Sequence, residues 1–233
     1  MNRLFLYIAL GAVMVDSIIE LAFVTSMVSW LHRTASGTFS VRFNGSTFDL
    51  IGEPRYLLVD QGHSSNGSAG TAFVIVGLGG ILALWLRSRS NFRNSRLSVL
   101  FYRTWLVFTV LATIFTLATL AYVFVVTNGH KGQTIDVAFA STLVDTRYTK
   151  ETWTPQGWFT AVLQLDLASA SQRGDIAQHL RIMRGWQYNL IPMFLLQLTL
   201  TYLALFDAMT SRQRDESDSI EETNKRFIAD NRS

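Results

Sequence analysis

Two acids, Asp16 and Glu20, interrupt an apolar run that extends from Leu4 to Trp30. Being four residues apart, they share one face of a helix. An ionisable side chain at bilayer mid-depth is unfavourable by about 2.5–3.5 kcal/mol on insertion scales, so it faces a partner or a wet cavity. Few other polar residues fall at matching depth. Thr109, Thr113 and Thr116 form an i, i+4, i+7 stripe in a later apolar run, and Gln197 lies in the last one. Asp16, Glu20, the three threonines and Gln197 are predicted to meet in one midplane polar cluster. Such a cluster can hold a proton or cation, or it can act as an interhelical hydrogen-bond clasp. The clasp is taken first. No basic residue lies inside these runs, so no intramembrane salt bridge is expected.

Other chemistry finds little support. His32, His63, His130 and His179 lack the spacing of a metal site. There is no Gly-x-Ser-x-Gly elbow, phosphate-binding glycine loop or His-Glu-x-x-His motif. Cysteine is absent, which excludes disulfide staples and thiolate chemistry. The expectation is a protein without enzymatic activity, metal or cofactor. Net charge is only +3, and the basic residues sit beside apolar runs. That placement reports membrane topology and argues against a nucleic-acid partner.

The elements that position the polar residues follow from hydropathy. About 20 apolar residues cross a bilayer, and four runs qualify or nearly so: residues 4–30, 71–86, 104–126 and 190–206. The first is too long for a cleaved leader and lacks a small-x-small cleavage site before Trp30, so it is expected to remain as a span. Residues 87–103 carry Arg87, Arg89, Arg93, Arg96 and Arg103 and no acid. Positive charge in a short loop places it in the cytoplasm. Both chain ends then lie in the cytoplasm, and residues 31–70 and 127–189 face outward. The same arginines are candidate contacts for anionic lipid. The tail, 212–233, is polar and acidic and is expected to be disordered.

The first outer loop holds the clearest strand signal. Two alternating runs, Thr38–Phe43 and Ser46–Leu50, flank Asn44-Gly45, a strong hairpin turn. Two sequons fall in this loop, at Asn44 within the turn and at Asn66 in a Ser/Gly-rich stretch expected to be flexible, so Asn66 is the better glycosylation candidate. In the second loop, Thr134–Ala140 alternates and is predicted to add a strand to the hairpin. Thr154 before Pro155 predicts a helix start, with Trp158, Phe159, Val162, Leu163 and Leu165 as its apolar stripe. A second helix from about Gln172 is expected to run into the fourth span. The fold class is thus all-α in the membrane, a four-helix bundle with a small extracellular α+β cap.

This layout resembles the broad tetraspan group: four spans, cytoplasmic ends and, as in claudins, a β-rich first outer loop, here preceded by Trp30. The claudin Gly-Leu-Trp motif and cysteines and the cysteines of the Sur7/PalI proteins are missing. The stretch Trp-Thr-Pro-Gln-Gly-Trp-Phe (153–159), with His-Leu-Arg-Ile-Met-Arg-Gly-Trp (179–186) and Asn-Leu-Ile-Pro (189–192), is similar to a filamentous-fungal family of four-span integral membrane proteins. That resemblance implies origin and a membrane location, and no mechanism. The expected function is non-enzymatic: a plasma-membrane, tetraspan-like organiser or partner of other membrane or cell-surface proteins, or of further copies of itself. The alternative is a small transporter or channel subunit using Asp16 and Glu20.

Overall fold

Apolar periodicity and small-residue stripes organise the chain into long helices. The computed structural model describes residues 3–89 and 96–230. Helix α1 (Arg3–Trp30) continues through a π turn, Leu31–Ala35. A hairpin follows, β1 (Thr38–Phe43) and β2 (Ser46–Ile51). Helix α2 runs from Asp60 to Ser88 with a π segment, Ala72–Leu78, at its centre. Then come α3 (Arg96–Gly129), the short α4 (Val137–Ala140), α5 (Pro155–Val162) and α6 (Ala170–Asp230). Among the described residues, α1, α2, α3 and α6 are long and apolar enough to cross a membrane.

These four helices close a ring in which α1 and α3 each pack against both α2 and α6. Every neighbouring pair is antiparallel, the up-down-up-down arrangement of a four-helix bundle. Its surface chemistry is inverted relative to a soluble protein. Ile8, Val15, Ile18, Val107, Leu111 and Leu198 point outward, whereas Glu20, Ser65, Thr116 and Gln197 have no exposed surface. An apolar exterior around a polar interior is what a hydrocarbon solvent selects.

One close approach that needs glycine joins three helices. A Cβ on Gly80 of α2 would lie 2.6 Å from Leu10 Cδ2 and 2.8 Å from Trp105 Cζ2, so α1, α2 and α3 meet across it. The buried Trp105 indole donates to the Val76 carbonyl in the π segment at 3.0 Å, which satisfies a ring N–H that would otherwise be stranded.

Several boundaries differ from the sequence reading. Helix α2 begins at Asp60, so the stretch expected to be a flexible loop up to residue 70 is helical and the second span is not short. Ser65, Ser68, Ala69 and Ala72 recur at helical spacing and are all buried, a small-residue face that hydropathy alone does not score. Helix α3 starts inside the expected inner loop, and the span at 190–206 is the middle of one helix, α6. The backbone of α6 stays helical to Asp230 where disorder was expected. From Met193 to Asp230 there is no Gly or Pro to stop it, and extending an existing helix avoids the nucleation cost.

The cap has its own aromatic core, with Phe39, Tyr148, Trp153, Trp158 and Phe159 all buried. The hairpin forms as predicted, with Asn44 at φ 49° and Gly45 at φ 78°, the double positive φ of a type I′ turn. Its third strand, however, is not 134–140. Arg42 N donates to Asp166 O and Ala168 N to Ser40 O, each at 2.8 Å, so residues 166–168 occupy the free edge of β1. Residues 137–140 instead wind into α4, because the Asp136 carboxylate caps the Phe139 N–H at 3.0 Å. A hydrogen bond from Lys150 and this cap hold the Asp136 carboxyl below the usual range. Thr154 caps α5 as predicted, accepting from Gly157 N at 3.0 Å.

Overpacking at the triple contact is expected to destabilise the bundle. Gly80→Val should cost about 1–3 kcal/mol, read as a lowered thermal midpoint in detergent. Gly11→Ala, where a Cβ meets nothing within 4 Å, should leave that midpoint unchanged or slightly raised.

Candidate functional site

The buried polar residues form three tiers along the bundle axis. Nearest the cap, Glu20 on α1 accepts from Ser65 of α2 at 2.5 Å through Oε1 and from Asn189 of α6 at 3.0 Å through Oε2. Ser65 Oγ in turn accepts the Trp186 indole N–H at 2.8 Å. One carboxylate thus joins three helices, and Trp186 bridges the α2–α6 diagonal. Both Glu20 oxygens are used, and the side chain has no exposed surface.

The middle tier is neutral. Thr116 of α3 donates to Gln197 Oε1 at 3.1 Å and shares a 2.8 Å hydrogen bond with Ser68 of α2. Thr113 pairs with Thr201 of α6 at 2.7 Å. Threonine suits this position because each hydroxyl can also bond the carbonyl one turn back, as Thr113 does to Thr109 O at 2.9 Å.

At the end away from the cap, Asp207 of α6 accepts from Arg87 of α2 at 3.2 Å and from Tyr102 of α3 at 3.1 Å. The Arg87 guanidinium also lies over the Tyr102 ring, 4.2 Å from its centroid. Side-chain exposures of 18% for Arg87 and 11% for Asp207 make this a mostly desolvated pair.

The predicted single cluster therefore divides. Thr113, Thr116 and Gln197 do come together, but with Ser68 and Thr201 as partners that the sequence reading did not include. Glu20 belongs to a separate tier. The Thr109 hydroxyl donates to the Trp105 carbonyl on its own helix, at 2.8 Å. Asp16 is 9% exposed, and its Oδ2 has no partner among the described residues; the same holds for Gln197 Nε2. A salt bridge does join α2 and α6 outside their apolar runs, because both helices extend far enough to bring Arg87 to Asp207. The signal that could have found Ser65 and Ser68 is their small-residue spacing with Ala69 and Ala72. For Arg87 and Asp207 it is one charge of each sign at the same end of two spans.

The other candidate residues are placed as follows. Arg89 lies over the Trp85 ring at 4.7 Å, Arg96 and Arg103 are exposed, and Arg93 is outside the described residues. Among the described arginines of this stretch, Arg87 is the one held inward. Asn44 is exposed on the hairpin turn. Asn66 is exposed on α2, yet its sequon Ser68 is buried and bonded to Thr116, so the loop expected around this acceptor is a helix.

No protein-family description, curated protein or solved structure matches this chain at a significant level. By helix length and composition it is a four-span integral membrane protein with a small folded cap.

Two tiers yield measurable expectations. Glu20→Leu strands the Ser65 hydroxyl and Asn189 amide and should cost about 1–2 kcal/mol of bundle stability, whereas Glu20→Gln should retain most of it, since the Asn189 amide can flip. Equilibrium unfolding in mixed detergent separates the two. At the other end, Arg87→Met or Asp207→Asn alone should cost about 3 kcal/mol, with the double apolar replacement recovering much of the loss.

Proposed function

We propose that this protein is a non-enzymatic, tetraspan-like membrane protein that organises or partners other membrane or cell-surface proteins. Its cap faces outward, both chain ends lie in the cytoplasm, and the plasma membrane is its site. The observation that carries this reading is the enclosure of Glu20. Glu20 is enclosed with both oxygens accepting hydrogen bonds, so this acid acts as a clasp. The arginines at the end opposite the cap support the orientation. A cap with its own aromatic core, tied to the bundle by α6 and by Trp30, supplies a rigid surface for a partner. The Trp30 indole donates to Asp175 Oδ2 at 2.7 Å and its ring stacks on His179 at 4.5 Å between centroids.

Transport is the second reading, and one observation favours it: Asp16 Oδ2 and Gln197 Nε2 are both buried without partners among the described residues. Affinity purification from native membrane in mild detergent, with wild type and the Asp16→Asn/Glu20→Gln double variant, tests the first reading against the second. The expected result is a stable protein partner recovered equally with both. Absence of any partner, together with cation or proton flux in proteoliposomes that the double variant abolishes, would return the transport reading instead.

A further inference from the structure

Beneath the cap, α1 and α2 part above the Glu20–Ser65 hydrogen bond and leave a cavity of about 830 Å³. That volume falls in the range of about 300–1,000 Å³ typical of small-molecule sites. The lining changes character along its length. Its deep end is apolar, with Val24, Met27, Met183 and Trp186. Its upper rim is charged, with Arg55, Glu53 and Arg147. Thr25 and Val28 of α1 and His63 and Asn66 of α2 line it as well and are themselves exposed, so the cavity opens sideways between the two spans.

One wall carries a donor with nothing to donate to. Thr127 Oγ1 donates to Gln61 Oε1, and Gln61 Nε2 donates to Gln156 Oε1, each at 3.3 Å. Taken in this direction, the relay ends on Gln156 Nε2. That atom is buried and has no partner among the described residues, on a side chain only 5% exposed. A buried unpaired donor is destabilising until an acceptor oxygen arrives. The rim adds a cation: Arg147 is 3.5 Å from Glu53, whereas Arg55 makes no ion pair among the described residues. The Arg55 backbone is fixed by donation to Tyr148 O at 2.8 Å.

We propose that this cavity binds a membrane phospholipid that enters laterally between α1 and α2. One acyl chain lies against Val24, Met27 and Val28, and the phosphate and ester oxygens take the hydrogen bonds of Arg55 and Gln156. A soluble anion would leave the apolar end wet, and a neutral apolar molecule would leave Gln156 unsatisfied. An amphiphile with an acceptor-rich anionic head meets both demands. The site is independent of the organiser reading, since it concerns a lipid and not a protein partner.

Gly62 makes the test clean. It lines the cavity, and a Cβ placed on it meets nothing within 4 Å, so Gly62→Phe fills the space without disturbing the packed helices. Native mass spectrometry of the full chain, offered phosphatidylglycerol or diacylglycerol with the same acyl chains, reads occupancy and head-group preference. We expect a retained phosphatidylglycerol adduct, bound about tenfold or more tightly than diacylglycerol. Arg55→Gln and Gln156→Leu should each erode that preference. Gly62→Phe should abolish the adduct with its thermal midpoint unchanged. Equal retention of both lipids, an adduct that persists in Gly62→Phe, or a polypeptide in place of the lipid would overturn the assignment.

Discussion

The structure depends on the rule that a polar group surrounded by hydrocarbon must find its partner inside the protein. Glu20 shows how far that rule reaches. A carboxylate so enclosed needs donors at both oxygens, so Ser65 and Asn189 must be presented at one depth on two other helices. Ser65 also receives the Trp186 indole. Satisfying one side chain thereby fixes the rotation and register of α1, α2 and α6 together. The middle tier does the same for α3 through Thr116, and the Arg87–Asp207–Tyr102 group closes the far end. Apolar packing between spans competes with equally apolar lipid, so these polar contacts and the close approach at Gly80 supply what the hydrophobic effect cannot.

The cap and the bundle are mechanically one piece because α6 belongs to both. Its first turns pack Ile176, Leu180 and Met183 into the cap core, and its next turns place Trp186, Asn189 and Gln197 in the bundle. Pro192 interrupts the backbone ladder within this helix without ending it. The ring points to the exposed side, where it displaces no interhelical contact. The phospholipid cavity lies against the same joint, lined by Met183 of the cap core and by Trp186 of the tier around Glu20.

Much of the architecture was legible in residue order. Four apolar runs, the Asn44-Gly45 turn and the Thr154-Pro155 helix start are each dictated by a few neighbouring residues acting through local backbone preference or transfer energy. Features that depend on a distant partner were not. Thr134–Ala140 alternates like a strand, but the edge it would join is taken by residues 166–168, and Asp136 is free to cap a helix instead. The Ser/Gly-rich start of α2 reads as loop because averaged hydropathy counts serine as polar. In the bundle those serines are buried against Glu20 and Thr116 and complete their hydrogen bonds there.

Sequence by itself determined that the chain has four membrane-length helices and that a hairpin sits between the first two spans. Those properties follow from composition and spacing, which are set within a single segment. Which polar residue meets which was decided only in three dimensions. Spacing puts Asp16 and Gln197 each near the middle of its apolar run, but partners depend on helix rotation, and rotation is settled by the packing of all four helices at once. That is why Glu20 gained Ser65 and Asn189, why Asp16 has an oxygen without a partner among the described residues, and why Arg87 turned inward to Asp207.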